Sequence, residues 1–448
     1  MEEFKTIYDL ISIIENQDKE ALDNYIEERE PIDFAQEVSD LEPDMMKSLL
    51  QVLDENQLAS LMEQSDDRDR IRIAHNLDND RLLVAFSYMQ KDDIVDMLGD
   101  FPIGRRKTVV NLMKASDRKI ISELLQYPED SAGGIMTTAY IAIKEDLSVY
   151  EGFQKIIEIG PKTEVIETIF VINDKRQLVG VCDLRDLLNA SRTVKIKDVM
   201  NDHVISVEPE VDQEEVARMV SRYDLDAIPV VTKTNQIVGI VTVDDIIDVI
   251  VEEYDEDILQ LAGVSKEESM DSTLLESVKM RLPWLFLNLL TAFLASFTVK
   301  LFESTIEQVV ALSAIMTIVS GMGGNAGTQT MSILVRELSQ EDIDLKDSLR
   351  AFGKELMLGV VNGAATGAAT GIIVALVYNN PFLGLIVLLA MIGNLVVAGL
   401  FGFLVPVILK KIHADPAIAS SIFVTTATDV LGFFIFLGLS NLFLGFLV

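Results

Sequence analysis

The stretch from Phe382 to Leu409, FLGLIVLLAMIGNLVVAGLFGFLVPVIL, contains no charged residue. It is longer than the roughly 20 residues that an α-helix needs to cross about 30 Å of hydrocarbon. Because backbone polar groups must be satisfied within lipid, the stretch is predicted to be a membrane-spanning helix. Apolar stretches on both sides of it bring the predicted spans to five: Leu282–Phe302, Val309–Val335, Phe352–Tyr378, Phe382–Leu409 and Ala417–Val448.

The orientation of these spans follows from the basic residues between them. The turn after the third span has no charge, whereas the loops after the second and fourth spans, with their edges, carry Arg336, Lys346, Arg350, Lys354, Lys410 and Lys411. An excess of Lys and Arg marks the cytosolic side of a membrane. No signal peptide precedes the first polar stretch. The amino-terminal part is therefore predicted to lie in the cytosol, and Val448 outside, with the spans in the cell membrane.

Polar residues form stripes on two of the spans. Asp429 is the one ionisable group deep in a span, and such a carboxylate costs roughly 2.5–3.5 kcal/mol to insert and normally faces a pore, a partner or an ion. A protonated Asp that is hydrogen-bonded between helices is the alternative. Ser421 and Thr425 share its helix face at intervals of four residues. The second span has a similar stripe, which predicts a water-filled cation path, with polar contacts between helices as the alternative: Asn325, Thr328, Gln329 and Ser332.

Glycine recurs every four residues in the third span, at Gly359, Gly363, Gly367 and Gly371. This spacing makes a groove along one helix face, where a neighbouring backbone can approach closely. Close helix packing is predicted here, and a hinge is the alternative.

The cytosolic part is strongly acidic, since all but two of the 34 excess negative charges lie before Met280. Such a domain repels nucleic acid and attracts cations, so no nucleic-acid partner is expected. The single cysteine, Cys182, excludes an internal disulfide, and the three histidines lack the spacing of a zinc site. No nucleophile–base pair and no phosphate-binding glycine loop is found, and the chain is not expected to be an enzyme.

Residues 1–125 have the pattern of short amphipathic helices with polar turns. Asp or Pro often stands at the start of a helix, as helix N-termini prefer. Irregular recurrence of the pattern predicts an all-α superhelical domain. The eight predicted helices are Ile7–Ile14, Glu20–Glu27, Asp44–Leu53, Gln57–Glu63, Asp80–Tyr88, Asp92–Leu98, Arg105–Met113 and Asp117–Leu125.

Residues 126–252 contain strand-like segments in two similar halves. The order of strand, turn, strand and helix resembles a pair of CBS domains, a module that often binds adenosine nucleotides. Gly239–Asp245, GIVTVDD, matches the glycine, Thr and Asp pattern of that module, and Gly180–Asp186, GVCDLRD, lacks the Thr. A nucleotide such as ATP is therefore expected at Thr242 and Asp245, and a purely structural CBS pair is the alternative.

The order of the parts resembles that of the MgtE family of magnesium channels. Tyr127–Thr137 is similar to the family's junction into the first CBS domain, and Glu256–Gly263 to the start of its connecting, or plug, helix. Gly321–Gln329, GMGGNAGTQ, resembles its second membrane helix, and Asp415 with Asp429 its fifth. The predicted domains are 1–125 (acidic, helical), 126–252 (CBS pair, α/β), 253–279 (long connecting helix) and 280–448 (five transmembrane α-helices).

The resemblance implies a homodimer in the lipid bilayer, whose pore lies on the two-fold axis and is lined by the second and fifth spans. It implies Mg²⁺ as substrate and as regulator, with cytosolic Mg²⁺ closing the pore by bridging acidic domains. Two alternatives stay open. The first is transport of Mn²⁺ or Co²⁺, which also accept oxygen ligands, and the second is a membrane-anchored nucleotide sensor that conducts nothing.

Magnesium chemistry selects the candidate pore residues. Mg²⁺ releases water reluctantly and prefers octahedral oxygen ligands, so a pore for the hydrated ion needs a carboxylate and outer acceptors rather than a tight cage. Asp429 is expected to supply the charge, and Asp415, beside Pro416, to hold an ion near the gate. Backbone carbonyls or polar side chains are expected to accept from bound water at Gly321, Gly324, Asn325, Thr328, Thr425 and Thr426.

Acidic residues of the cytosolic half are the candidate sensor. Without cations they repel one another and hold domains apart, and divalent cations offset that repulsion and favour a compact state. For each residue alone, a solvated acidic surface is the alternative. The candidate metal ligands are Asp92, Asp96, Asp212, Glu214, Asp224, Asp245, Asp248, Glu253, Glu256 and Asp257.

Overall fold

The computed structural model describes residues 7–163, 165–265, 268, 272–340, 345–412, 414–418 and 420–447. The chain forms two compact units, Met1–Ile250 and Val251–Val448. A helical domain and an α/β domain make up the first unit, and long apolar helices make up most of the second.

The first part of unit one consists of short helices around a shared apolar core. Asp18, Asp54 and Asp78 each stand before a helix and accept a hydrogen bond from a backbone N–H of its first turn, as N-cap residues do. The described region has ten helices, α1 to α10: Ile7–Asn16, Lys19–Glu27, Pro31–Ser39, Pro43–Val52, Glu55–Glu63, Asp67–His75, Asn79–Ala85, Lys91–Gly99, Ile103–Leu112 and Ala115–Leu124.

The predicted helical domain is confirmed, with two more helices than the sequence pattern gives. Helix α3 begins at Pro31, a residue favoured at the first helical position. Helix α6 has the sequence DRDRIRIAH, which contains so many charged residues that the helical spacing of its apolar residues is not evident. Its Ile73 and Ala74 are nevertheless fully buried.

The α/β domain repeats one plan twice, which confirms the CBS-like halves. Strand β2 pairs antiparallel with β3, and β4 with β5, and both ladders are irregular at the same place, Val171/Ile172 and Val230/Val231. Strand β1 adds parallel to β2. The strands are β1 Ala142–Lys144, β2 Thr168–Ile172, β3 Leu178–Asp183, β4 Ala227–Val231 and β5 Ile237–Thr242; the helices are α11 Val149–Ile159, α12 Leu184–Asn189, α13 Gln213–Tyr223 and α14 Val243–Leu261, with 3₁₀ turns at Gly160–Lys162 and Ile196–Asp198.

The long connecting helix is present as α14, but its bounds differ from the predicted 253–279. Helix α14 starts directly after β5 and ends at Leu261. Gly263 has a left-handed φ of +73°, and the Val264 N–H donates to the Leu259 carbonyl at 2.9 Å. This arrangement closes a helix at glycine, and the next helix in the described residues is the one that begins at Leu274. Residues 266, 267 and 269–271 of the predicted connecting helix lie outside the described residues.

Beyond the end of α14, unit two contains five long helices and one short one in its described residues. Four of them, α15, α18, α19 and α20, are long and apolar enough to cross a membrane. Helix α17 has 30 residues, and it is the glycine-rich, polar span of the sequence. The bounds are α15 Leu274–Lys300, α16 Glu303–Gln308, α17 Ala311–Gln340, α18 Leu345–Val377, α19 Pro381–Lys411 and α20 Ser420–Leu442, followed by a 3₁₀ turn at Leu444–Phe446.

The four-residue glycine repeat of α18 lies directly against α19, as close packing requires. A Cβ on Gly359 would be 2.6 Å from the Leu395 carbonyl oxygen, and one on Gly371 would be 2.5 Å from the Gly384 carbonyl oxygen. Gly363 and Gly367 meet α19 in the same way. We call these four glycines and the α19 backbone opposite them the glycine seam. It confirms the predicted close packing.

Candidate functional site

Helices α17 and α20, the predicted pore helices, lie against each other with opposite directions. The Ser320 hydroxyl donates to the Asp429 carboxylate. One turn further along α17, a Cβ on Gly324 would be 3.5 Å from Thr425 Cγ2. Asp429 is half-buried. The structure thus brings the proposed pore carboxylate and the glycine-rich segment of α17 into one site.

The other predicted pore groups occupy the exposed side of these two helices. Asn325, Thr328 and Thr425 are exposed, and a Cβ on Gly321 would meet no atom within 4 Å. The threonine hydroxyls are bonded within their own helices, with Thr328 donating to the Gly324 carbonyl at 3.0 Å and Thr426 to the Ile422 carbonyl at 2.5 Å. Their remaining oxygen lone pairs can still accept hydrogen bonds from water.

Asp415 lies before the first turn of α20. Its carboxylate accepts a hydrogen bond from the Ala417 backbone N–H at 2.7 Å. On the neighbouring helix end, Lys410 donates to the Leu338 carbonyl at 2.8 Å. Asp429 lies nine residues into α20, roughly 13 Å along the helix from its start, and Asp415 precedes that start.

Two polar contacts in the membrane unit were not anticipated from the sequence. Glu355, near the start of α18, accepts from the Thr330 hydroxyl at 2.9 Å, and a second carboxylate therefore lies within a span. Asn394, in the middle of α19, is fully buried and donates to the Val319 carbonyl at 2.7 Å. Asn394 is the lone amide in the apolar stretch Phe382–Leu409, and that isolation is the signal that could have identified it.

The candidate nucleotide site joins β5 to α14. Thr242 is buried, and its hydroxyl donates to the carboxylate of half-buried Asp245. Burial raises the pKa of Asp245, the Thr242 hydrogen bond opposes that rise, and the charges of Asp244 and Asp93 add to it. The two residues chosen from the sequence are therefore in contact, in a negative environment.

Asp93 and Glu63 extend this negative environment into the helical domain. Burial raises the pKa of Asp93, against the nearby charge of Arg70. Burial and the charge of Asp93 likewise raise the pKa of Glu63, which accepts a hydrogen bond from the Gln90 N–H at 3.1 Å. The sequence analysis selected Asp92 and Asp96 on this helix instead. Asp93 lies one turn before the buried Met97 and is half-buried, as is Asp92, whereas Asp96 is exposed.

The remaining sensor candidates are spread over two helices. Asp212 caps the start of α13, where it accepts from the Glu214 N–H at 2.9 Å, and Asp224 ends the same helix with a left-handed φ of 51°. An 11-residue helix is roughly 16 Å long, so Asp224 lies far from the other two. Along α14, Asp248 is exposed, and Glu256 accepts from the Gln260 side chain. Glu253 and Asp257 are half-buried.

Within the described residues, no three His, Cys, Asp or Glu side chains converge closely enough to hold a metal ion. The candidate acids therefore form pairs and stripes. Such arrangements suit hydrated or shared cations better than a preformed cage.

Comparison with known proteins identifies the domains. A family model described as a divalent cation transporter, MgtE, matches residues 316–439, and the MgtE intracellular N domain matches 29–130. The CBS domain model matches 132–193 and 196–252. The three models follow one another in the predicted order, which confirms the fold class.

Two curated relatives and one solved structure extend the match. The magnesium transporter MgtE of Bacillus subtilis is 33% identical over 94% of this chain and 93% of its own. That of Thermus thermophilus is 35% identical over 75% of this chain and 74% of its own. The cytosolic domain of the Mg²⁺ channel MgtE, solved with ATP, aligns with a TM-score of 0.52 and 31% identity over 55% of this chain and all of that structure.

These matches cover nearly the whole chain and include both its cytosolic and its membrane parts. The proteins concerned are transporters and not enzymes, which confirms the expectation that this chain is not an enzyme. The chain belongs to the MgtE family of divalent cation transporters.

Proposed function

We propose that the chain imports Mg²⁺ across the cell membrane through a pore lined by α17 and α20, with Asp429 as the charged group that binds the ion. The contact between Ser320 and Asp429 is the observation that carries the proposal. It directs a carboxylate to the interface between α17 and α20, the two helices that bear the polar stripes. The free-energy cost of inserting a carboxylate in this position is offset when an ion or a polar partner binds it.

The geometry fits a hydrated ion. The hydroxyl of Ser320 beside Asp429 and the exposed side chains of Asn325, Thr328 and Thr425 on the same two helices can accept hydrogen bonds from the water shell that Mg²⁺ retains. Mn²⁺ and Co²⁺ accept the same ligands, and transport of these ions is the second candidate. Softer metals find no Cys or His among the described residues around Asp429.

A homodimer completes this pore. The stripe of α17 that includes Asn325 and Thr328 is exposed on the single chain, as is Thr425 of α20. A second copy related by a two-fold axis would place its own Asp429 opposite the first and enclose these polar faces. In this arrangement the carboxyl terminus of each copy lies outside the cell, and the amino-terminal domains of both copies lie inside.

Regulation by cytosolic Mg²⁺ follows from the acidic surfaces. The like charges of Asp93 and Asp245 approach each other within unit one, and a cation between them would favour the compact arrangement. In unit two, Leu261 at the end of α14 packs against Met331 of α17 and Val424 of α20. The connecting helix thus ends on the two pore helices, where a change in its position would alter the pore.

ATP is proposed to bind the second CBS half, at Thr242 and Asp245. The relative solved with ATP supports nucleotide binding by this domain type. Because the site is acidic, the negative charges of the site and of the phosphates repel each other unless Mg²⁺ accompanies the nucleotide.

Flux into liposomes tests the proposal directly. Purified protein should carry Mg²⁺, and uptake should fall when Mg²⁺ is present on the cytosolic side. Mn²⁺ and Co²⁺ tested in parallel distinguish the two transport candidates, and addition of ATP tests its effect on closure. Protein that is folded and inserted in both orientations but carries no divalent cation would refute the transport proposal.

A further inference from the structure

Asn394 occupies an unusual place for a carboxamide. Helix α19 is described over its whole length, and its other buried residues are apolar or glycine. Asn394 itself is 0% exposed. A leucine has the same branched shape and would carry no polar group that must be satisfied. The presence of an amide here therefore calls for a role that a leucine cannot fill.

The carboxamide is held between the two pore helices. Its Nδ2 donates to the Val319 carbonyl of α17 at 2.7 Å. A Cβ on Gly323 of α17 would overlap the carboxamide, and one on Gly432 of α20 would be 2.6 Å from Asn394 Oδ1. Two glycines thus form the cleft that admits the group. The amide orientation is fixed, because the opposite one would direct two carbonyl-type oxygens at each other.

This orientation leaves Asn394 Oδ1 buried, and no donor among the described residues reaches it. A buried acceptor without a donor lowers the stability of the fold. The helix bundle therefore keeps the hydrogen bond from Asn394 to Val319 although the unpaired Oδ1 atom lowers the stability of the fold.

Val319 precedes Ser320, and the Ser320 hydroxyl donates to Asp429. The Asn394 side chain of α19 consequently holds the α17 backbone at Val319. The next residue of α17, Ser320, holds the Asp429 carboxylate of α20. We propose that Asn394 is a positioning residue for the pore: through Val319 and Ser320 it sets the place of Asp429 between α17 and α20, and so the affinity of the pore for Mg²⁺. This inference rests on the proposed role of Asp429.

Two substitutions separate the hydrogen bond from the packing. Asn394→Leu removes the donor, keeps the branched shape and adds some volume, whereas Asn394→Ala removes the donor and leaves a cavity. A positioning role predicts that both raise the half-saturating Mg²⁺ concentration for flux by about tenfold, a coupling size typical of contacting residues. A packing role predicts that each variant changes half-saturation only as far as its altered volume lowers the thermal stability. A shift that follows the loss of thermal stability would overturn the inference.

A double-mutant cycle on the full-length protein in liposomes tests the route through Ser320. If Asn394 acts through Ser320, Asn394→Leu should add little to the shift that Ser320→Ala already causes. Independent effects that multiply would overturn the proposal. Ser440→Ala is the control, because this buried hydroxyl of α20 donates only to the Phe436 carbonyl of its own helix, at 2.8 Å. The cycle can be run with Asn394→Ala if the leucine variant does not fold.

Asp429→Asn, measured in the same series, separates the two levels of the argument. If that variant keeps wild-type half-saturation, the pore role of Asp429 fails, and the inference fails with it. If it loses Mg²⁺ binding while the Asn394 variants behave as wild type, the pore role stands and only the inference on Asn394 is wrong.

Discussion

The Ser320 hydroxyl donates a hydrogen bond to the Asp429 carboxylate. This contact joins α17 to α20 through two residues that are 109 positions apart in the chain. The contact fixes the direction of the one carboxylate in the middle of α20. An ion site that uses Asp429 therefore depends on the relative placement of α17 and α20, and its strength should respond to changes in either helix.

Asp429→Ala should lower Mg²⁺ uptake by at least about a hundredfold, since the charge that offsets ion dehydration and repulsion is lost. Assembly should remain intact, because the side chain contributes one contact to the α17–α20 packing. Flux in liposomes, with size-exclusion chromatography as the check on folding, measures both. Wild-type flux from a folded Asp429→Ala protein would contradict the assignment, and Ser440→Ala provides the matched control.

Neutralising the acids of α14 together should leave conduction intact and weaken closure by cytosolic Mg²⁺, since the cations lose their ligands. The set is Asp245, Asp248, Glu253, Glu256 and Asp257. In the wild type, Mg²⁺ should also slow proteolysis of the cytosolic part, because it favours the compact state. Equal digestion rates in Mg²⁺ and in chelator would exclude the sensor account. Asp186→Asn, at the equivalent position of the first repeat, is a control for loss of one carboxylate.

The stability of the cytosolic unit in chelator should rise as the pH falls from neutral toward mildly acidic. Burial raises the pKa of Asp93 and Asp245 above the ordinary value of 3.8, and that of Glu63 above 4.5. The folded state then binds protons more tightly than the unfolded state, so the free energy of unfolding decreases as the pH rises through this window. Thermal unfolding at a series of pH values measures the slope.

Asp93→Asn should flatten this dependence, and Mg²⁺ should reduce it in the wild type by taking the place of the protons. A wild-type melting temperature that falls steadily on acidification over the same range would show that these three groups do not control the pH response.

ATP binding should require a divalent cation. Thr242 and Asp245 lie in a negative environment, which repels bare phosphates. Calorimetry on residues 1–272 should therefore give weak binding in chelator and tighter binding with Mg²⁺, and Thr242→Ala should reduce both. Tight binding in chelator would refute the electrostatic argument. Absence of binding in either condition would leave the CBS pair as a mechanical linker.

Gly363→Ala should destabilise the membrane unit by about 1–3 kcal/mol, the usual effect of adding a carbon to a filled contact. A Cβ there would be 2.6 Å from Ile392 Cα, which is backbone and cannot rotate away. Gly353→Ala on the same helix is the matched control, since a Cβ at Gly353 meets nothing within 4 Å. It should be neutral or stabilising by about 0.5–1 kcal/mol through helix propensity. Equal melting temperatures for the two variants in detergent would contradict the seam.

The sequence predicts the parts of this protein that depend on local pattern. Long apolar runs, the strand-and-turn repeat and the isolated Asp429 are visible because each differs sharply from its surroundings. Asp93 and Asn394 are functional candidates that the sequence analysis missed, because their importance depends on which neighbour faces them in three dimensions. The end of α14 at Leu261 is a third case, since the left-handed turn at Gly263 overrides the continuing acidic, helix-forming sequence.

The glycine seam has a consequence for the interpretation of variant libraries. A scan that scores every substitution by Mg²⁺-dependent growth would rank Gly359, Gly363 and Gly371 beside Asp429 as intolerant positions. The two groups would fail for different reasons. Seam variants would be depleted from the membrane itself, whereas Asp429 variants would be present at full abundance and silent. Scoring abundance alongside growth would therefore divide one list of essential positions into the frame that holds the helices and the residues that meet the ion.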